Sequence, residues 1–301
     1  FHDFSNTGIR AANTAQLRKQ AAFDYLPENW RIGIIAKEYQ TLDDNLAVPH
    51  EVMPSLFADG ENVLDSGPVI NLHQAVTHFG HRDDGEFQTA NIFYDIDYDP
   101  LFGTNGKVGK EKEIITGKRY NLDYSVSMPL LQSSSAFLTP KVGMRHVTQQ
   151  LDDTTVNTPD SSPSTTVGVA SIDSGLIFER DVNLFGNAYR QTLEPRVFYY
   201  YAGSENQDDI YNFDSNSLSY SYAQLFRDYR LAGEDYIDDA NQISTGVSSR
   251  LLSPSTGREL LRVGIGQTYY LDKRDVVLED DPVTAAYERD RSHSALVIDA
   301  A

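Results

Sequence analysis

Charged side chains lie on the polar face of several short segments with alternating polarity, and their types and spacing suit ion pairing. Glu194 and Arg196 lie two residues apart in the segment YRQTLEPRVFYYYA. Because successive side chains of a β-strand point to opposite faces, both would share one face, within reach of each other and of neighbouring strands. Taken singly, each of these residues is expected to form an ordinary ion pair. The same polar face in other segments carries Lys141, Arg145, Arg250 and Arg262.

The acidic and histidine clusters do not match known catalytic or metal-binding signatures. The segment DIDYD (95–99) imitates the start of an EF-hand loop, but Pro100 and Gly106 stand where that loop needs Gly and Glu. His78 and His81 are three residues apart without a helical pattern to bring them together. No nucleophile elbow is present. We therefore predict no metal site, no cofactor and no enzymatic activity.

Strand-like alternation of apolar and polar residues dominates the chain. In 118–128, for example, Tyr120, Leu122 and Tyr124 alternate with Asn121 and Asp123. A helical period is nowhere sustained, and no apolar run approaches the roughly eighteen residues of a transmembrane helix. Ten segments show this pattern, and an eleventh begins near Ser292: 16–26, 30–39, 50–58, 69–79, 118–128, 136–147, 168–180, 189–202, 241–252 and 259–271.

The connections between these segments tend to alternate in length. The shorter ones are 27–29, 59–68, 129–135, 181–188 and 253–258, and the longer ones are 40–49, 80–117, 148–167, 203–240 and 272–291. The alternation is imperfect near the start, where 59–68 is as long as 40–49. Short turns on one side and long loops on the other are typical of an up-and-down outer-membrane barrel. We predict an all-β fold, an antiparallel transmembrane up-and-down β-barrel of which about 10–12 strands are present.

Two of the long connections have further features. The alternating segment 87–99 would reverse the direction of every later strand if it crossed the sheet, so we place it inside 80–117 as a hairpin or insert. Both 80–117 and 203–240 are predicted to be extracellular loops, and 219–232 is predicted to contain a short helical turn. The five long connections together carry the whole net charge of −19.

Composition bounds the function further. The strongly negative charge argues against binding of nucleic acid through phosphate contacts. The chain contains no cysteine, and it begins Phe1-His2-Asp3 without Met, so we expect a processed chain or a fragment. Eighteen Tyr and fourteen Phe suit aromatic girdles at membrane interfaces, although any β-rich fold favours such residues.

Three strings between 178 and 252 together resemble one known family. They are FERD with RQTLEPRVFYYY, then QDDIYNFDS, then QLFRDYRLAGEDYIDDANQISTGVSSRL. This combination is similar to the LptD family of lipopolysaccharide-transport outer-membrane barrel proteins. The likeness weakens outside about 170–275, where the strand rhythm and short strings such as FHDF (1–4) remain.

The resemblance implies a location, a cargo and partners. Family members are large barrels of the Gram-negative bacterial outer membrane that receive lipopolysaccharide from periplasmic bridge proteins. They release it into the outer leaflet where the first and last strands meet, with a plug lipoprotein, LptE, in the lumen. This chain lacks the family's preceding jelly-roll domain, its bridging cysteines and a full set of strands. We therefore expect a fragment, with the lateral gate largely outside it.

The resemblance also gives the charged and aromatic residues expected roles. As a set, the six charged residues of the polar faces are predicted to line a path for phosphorylated glycolipid headgroups or to meet the plug. The loop 203–240 holds more aromatic residues than a solvated loop needs, so we predict that it folds inward or over the barrel mouth. Contacts with the plug or other loops are expected from Tyr211, Phe213, Tyr222, Leu225, Phe226, Arg227 and Asn241.

Two other classes of protein remain open at this point. A different outer-membrane barrel, either a porin or a receptor, would show the same strand rhythm, although a porin would not be expected to share the strings at 207–242. A soluble all-β carbohydrate-binding or hydrolase domain is the third class. Solubility without detergent would favour it.

Overall fold

A computed structural model describes most of the chain. The described residues are 16–41, 49–81, 92–93, 109–110, 115–152, 160–184, 186–218, 221–278 and 282–301. Nearly all of the regular structure within them is antiparallel β-strand. The described part contains one α-helix, α1 (Pro282–Asp290), and no helix there is both long and apolar enough to cross a membrane.

Eleven strands form one meandering sheet in which each strand pairs with the next strand of the path. All of these pairings are antiparallel, and within the described residues the first and last strands each have a single neighbour, so the sheet is open. The predicted all-β, up-and-down order is confirmed. The strands are β1 (Gln16–Tyr25), β2 (Trp30–Thr41), β3 (Glu51–Val63), β4 (Val69–Gly80), β5 (Gly117–Ser127), β6 (Ala136–Leu151), β7 (Ser164–Leu176), β8 (Asn187–Ala202), β9 (Ala240–Leu252), β10 (Glu259–Tyr270) and β11 (Val297–Ala300).

The alternation of connection lengths is cleaner than the sequence suggests. β3 continues to Val63, so the short connection predicted at 59–68 is only 64–68, and its predicted start at residue 59 was wrong. The polar string Asp59-Gly60-Glu61-Asn62 looks like a loop, yet it pairs with Ile70–His73 of β4. Every short turn therefore lies at one end of the sheet and every long connection at the other.

Small elements lie outside this path. Ile92–Phe93 pairs with Gly109–Lys110 as a separate two-stranded sheet, which agrees with a hairpin inside the 80–117 connection. A 3₁₀ turn at Ala223–Phe226 supplies the helical turn predicted within 219–232. The assignment of 80–117 and 203–240 to the outside of the cell stays a prediction.

Pro195 interrupts the ladder between β7 and β8. The short strand Phe178–Leu184 continues β7 and pairs with β8 in the same register, but pairing stops opposite Pro195 and Glu194. Proline has no N–H to donate, so a gap is expected there. Pro140, in contrast, lies within an unbroken β6–β7 register.

The two faces of the sheet have different surroundings. We call the side that packs against residues 203–239 the loop face, and the opposite side the apolar face. Val126, Val142, Ala170 and Tyr201 form one continuous row across β5 to β8 on the apolar face. Val142 is 61% exposed and Tyr201 is 44% exposed, so large apolar side chains point away from the core.

Candidate functional site

The 203–239 connection folds back over the loop face and forms the main core with it. Val147, Val167, Phe198 and Tyr200 of the strands are buried there. Their partners from the connection are Ile210, Leu225, Phe226 and Ile237. The described part of this connection is therefore packed inward against the strands. The packing of this connection against the strands agrees with the predicted inward folding.

Arg119 joins β5 to this connection through a cluster of carboxylates. Its Nη1 donates to Asp214 Oδ1 at 2.7 Å and to Asp235 Oδ1 at 2.5 Å. Its Nη2 lies 3.5 Å from Glu234 Oε2. The Arg119 side chain is 3% exposed and Asp235 is fully buried. A buried charge is tolerated only when it is paired, so these groups hold one another in place.

Asp235 also organises the backbone of its own loop. Its Oδ2 accepts hydrogen bonds from the backbone N–H groups of Phe213 (3.0 Å), Asp214 (2.7 Å) and Ser215 (3.1 Å). Gln149 of β6 donates to Asp235 Oδ1 at 3.3 Å and bridges the N–H and C=O of Tyr211. The bend at 211–215 is thereby fixed to two strands of the sheet.

A second set of ion pairs involves predicted residues of β6. Lys141 Nζ donates to Asp228, and Arg145 Nη2 lies 3.4 Å from Asp228 Oδ2. Arg145 also donates to the Asp228 carbonyl at 2.8 Å and to the Tyr200 hydroxyl at 3.1 Å. Its Nε donates to Asp123 at 3.0 Å. Lys141 and Arg145, both predicted on the polar face, therefore contact the 203–239 connection through Asp228.

Three glycines on the loop face make room for aromatic side chains. Gly246 pairs with Gly266 across β9 and β10, and Gly264 lies two residues away on the same face. A Cβ atom on Gly246 would lie 2.8 Å from Phe226 Cζ and 2.9 Å from Tyr222 Cε2, both closer than real contacts. One on Gly266 would lie 2.6 Å from Leu225 Cδ1. These three side chains therefore rest directly on bare backbone.

Of the two kinds of partner expected for Glu194 and Arg196, each other or neighbouring strands, the structure shows the second. Arg196 pairs with Asp173 of β7, with nitrogen-to-oxygen distances of 2.9 and 2.6 Å. Glu194 pairs with Arg250 of β9 at 2.5 Å. Charged side chains on one strand lie closer to partners on opposite neighbours than to each other. Arg262 is also separate from them and pairs with Glu259 of its own strand at 2.9 Å.

The residues predicted to make loop contacts are not grouped together: some are buried against the sheet, one is exposed and one contacts another loop. Phe213 stacks on Phe79 of β4 with ring centroids 4.3 Å apart, and Tyr211 packs edge-on to Phe213 at 4.9 Å. Arg227 is exposed, and its Nη1 donates to the Tyr229 hydroxyl at 3.1 Å. Asn241 belongs to β9 and reaches a different loop, donating to Asp272 at 2.6 Å.

Burial and ion pairing act in opposite directions on the loop carboxyls. Burial would raise the pKa of Asp228, but Lys141 and Arg145 outweigh it and the pKa is lowered. Asp214 has a lowered pKa because Arg119 likewise outweighs burial. Burial, reinforced by the Asp214 carboxylate, raises the pKa of Asp235 to about 6 although Arg119 opposes the shift. Several carboxyls share one guanidinium, so they do not all ionise with equal ease.

Sequence reasoning missed the residues that dock the loop most firmly. Arg119, Gln149 and Asp235 carried no motif. The sequence does hold one signal for the docking of the loop. Gly264 and Gly266 lie on the polar face of β10, and Gly266 pairs with Gly246 of β9. Among the described residues no group of three or more His, Asp or Glu is arranged to hold a metal ion, and the DIDYD segment lies outside them.

The fold is one large open antiparallel sheet with an apolar face on one side and a packed loop on the other. This arrangement defines the chain as an all-β protein of the meander type. The chain belongs to the LptD family, because the family model described as "LPS transport system D" matches residues 1–301. The resemblance carried by the LEPR and DDANQ strings is thereby confirmed.

Curated relatives agree with this membership. The chain is 35% identical over 289 residues to the LPS-assembly protein LptD of Xanthomonas campestris pv. campestris (strain 8004), covering 91% of this chain and 35% of the relative. It is 34% identical over 288 residues to the protein of the same name from Chromohalobacter salexigens, covering 94% of this chain and 34% of the relative. The Nitrosospira multiformis protein is 33% identical over 285 residues, with 91% and 27% covered. The chain thus spans about a third of the length of these relatives.

Proposed function

We propose that this chain forms part of the wall of an outer-membrane β-barrel that delivers lipopolysaccharide to the outer leaflet. The observation that carries the proposal is the row from Val126 to Tyr201 on the apolar face, in which Val142 and Tyr201 are exposed. A continuous apolar surface of that kind is unfavourable in water and suits the acyl chains of a bilayer. The relatives' printed name, LPS-assembly protein, supports the cargo.

In this proposal the loop face lines the lumen. A cavity of about 830 Å³ lies on that face beneath the 203–239 connection, lined by Trp30, Asn71, Ser125, Lys141 and Arg145 among others. Glu194, Arg196, Arg250 and Arg262 continue the charged surface toward the short turns. Polar headgroups would pass along this surface without covalent chemistry, so the proposed role is transport and not catalysis. A porin-like channel would share the wall, but the family match favours lipopolysaccharide export.

A label on Val142 tests the wall assignment. We expect a nitroxide attached at Val142→Cys in the full-length, oxidised protein to be reached by dissolved oxygen and not by a water-soluble nickel chelate. The 301 residues contain no cysteine, so the label is unique within them. Val142→Arg should destabilise the barrel by about 2–4 kcal/mol if the site is near the bilayer midplane.

The matched control for this label is Ser255→Cys, in the exposed short turn 253–258. The nickel chelate should broaden the spectrum of that label strongly. If the chelate reaches position 142 as readily as position 255, the row faces water and the proposed location is wrong.

The proposed partners are the plug lipoprotein LptE and the periplasmic bridge proteins. The structure changes which loop residues should report on the plug. Phe226 and Leu225 are buried against β9 and β10, whereas Arg227 is exposed. We therefore expect a photo-crosslinker at Arg227 in the full-length complex to capture the plug, and one at Leu225 to capture only β9 and β10. Capture of the plug from Leu225 alone would contradict this arrangement.

A further inference from the structure

The hairpin that connects β7 to β8 extends past the short-turn end of the neighbouring strand β6. Its first arm is Phe178–Leu184, which pairs with Asn187–Leu193 of β8. β6 begins at Ala136, opposite Leu176, so no residue of β6 lies beside this arm. Among the described residues, β8 alone pairs with the arm. The outer side of the arm, which we call the hairpin edge, is therefore open.

The hairpin edge presents the backbone groups of a half-formed ladder. Successive residues of an antiparallel strand direct their N–H and C=O groups to opposite sides. The N–H of Ile177 donates to the Ser135 carbonyl at 2.7 Å, on the side of β6. The pairing with β8 keeps one register through this region, so the backbone groups of Glu179, Asp181 and Asn183 point to the same outer side. Six of the seven residues of the arm are exposed, which leaves a further strand free access.

The hairpin lies beyond the part of the sheet that lipid would cover. Apolar side chains occupy the apolar face of β8 from Leu193 to Tyr201, which is about the length of strand that crosses a bilayer. On the same face the next pair toward the turn is Arg180 with Gln191, joined by hydrogen bonds of 2.9 and 2.7 Å. This polar pair marks the end of the apolar band. An open backbone edge is strongly disfavoured in hydrocarbon, and here it falls on the aqueous side.

Side chains beside the hairpin edge define the chemistry of a strand that can add to it. Glu179 and Asp181 share the loop side of the arm, and Val182 and Leu184 share the other side. Among the described residues none forms an ion pair with Glu179, and Asp181 has a long contact of 3.4 Å with the half-exposed Arg190. Basic side chains of an added strand would pair with these carboxylates, and apolar ones would pack against Val182 and Leu184.

We propose that the hairpin edge binds an extended segment of another protein by β-strand addition. The segment pairs with the outward backbone groups of Glu179, Asp181 and Asn183, and these main-chain hydrogen bonds give the affinity. Its side chains alternate between basic residues on the loop side and apolar residues on the other side. Charges on an edge strand deter unspecific pairing, so the two carboxylates select a cationic segment. The placement of this edge in the periplasm rests on the proposed function.

A photo-reactive peptide tests the proposal on the full-length protein in detergent. The probe has seven residues, alternating lysine and valine, with benzoylphenylalanine in place of the central residue. We expect saturable crosslinks that mass spectrometry maps to Phe178–Leu184. The same peptide methylated on every backbone nitrogen keeps its charge but cannot donate to the hairpin edge, so it should bind at least about tenfold more weakly. Crosslinks confined to other segments, or equal crosslinking by the methylated peptide, would overturn the assignment.

A peptide of alternating glutamate and valine, with the same central benzoylphenylalanine, tests the selection by charge. Its carboxylates would face Glu179 and Asp181, so it should bind at least about tenfold more weakly than the lysine peptide. Equal binding of the two peptides would contradict a cationic partner.

Two substitutions at Asp181 separate the backbone contribution from the charge. Asp181→Ala and Asp181→Pro both remove the carboxylate, but proline also removes the outward N–H. Proline is tolerated where an edge N–H faces solvent, so the barrel should still fold, which heat-modifiable mobility on gels verifies. We expect Asp181→Pro to bind the lysine peptide about tenfold more weakly than Asp181→Ala. Equal binding by the two variants would show that the peptide does not add as a strand.

The two proposals can fail separately. A protein whose Val142 label lies in lipid but whose hairpin edge captures no peptide refutes this inference alone. A Val142 label in water refutes the proposed function, whatever the peptide does.

Discussion

Replacement of Arg119 by methionine is expected to release the 203–239 connection from the sheet. The side chain is 3% exposed, and its loss leaves the fully buried Asp235 beside Asp214 without a cation. Breaking a buried ion pair on one side typically costs about 3–5 kcal/mol. Hydrogen exchange at the backbone N–H groups of 211–215 should then accelerate by about a hundredfold or more. Mass spectrometry of peptides from the full-length protein measures this.

The exposed Arg262 provides the control. It pairs with Glu259 of its own strand and is 48% exposed, so Arg262→Met should cost no more than about 1 kcal/mol. The double variant Arg119→Met with Asp235→Asn should recover part of the lost protection, because it removes the unpaired buried charge. Exchange at 211–215 that does not change in Arg119→Met would show that the carboxylate cluster does not hold the connection.

Replacement of Gly246 by valine should displace the connection at a different place. The three atoms nearest to a Cβ atom there belong to the ring ends of Phe226 and Tyr222, so the strand can keep its register while the two rings must move. Overpacking of this kind costs about 1–3 kcal/mol. Increased exchange at 222–227 with unchanged exchange in β9 is the expected result.

Gly168 offers a matched substitution on the same sheet. A Cβ atom on Gly168 meets nothing within 4 Å, so Gly168→Val should leave the connection in place. Shortening the opposing ring, with Phe226→Leu in the Gly246→Val background, should restore part of the packing. If both valine variants increase exchange at 222–227 equally, the increase results from a change in the strands and not from displacement of the aromatic rings.

The strands could be predicted because their signal is local. Alternation of side chains along a single segment, as in 118–128, depends only on which face is apolar. The C-terminal end of β3 was not predicted, because Asp59, Gly60 and Asn62 are residue types that favour turns. Pairing with β4 overrides that preference, since the ladder supplies partners for their backbone groups.

The partners of the charged residues could not be predicted, because they depend on register between strands. Glu194 and Arg196 were expected within reach of each other and of neighbouring strands, and the formed sheet selects Arg250 and Asp173 as their partners. Asp235 looked like one acid in a solvated loop. Only the fold reveals that Arg119, 116 residues earlier, removes it from water.

The 203–239 connection joins strands that precede it in the chain to strands that follow it. Asp235 is fixed to Arg119 of β5 and Gln149 of β6, while Tyr222, Leu225 and Phe226 rest on glycines of β9 and β10. Contacts between residues so distant in sequence form slowly, because a long chain must be closed before they stabilise anything. The connection can therefore reach its final place only after the earlier strands have paired. Its contacts are complete only once β9 and β10 have also paired in register. Docking of the connection is therefore a late step of folding that requires both the earlier and the later strands.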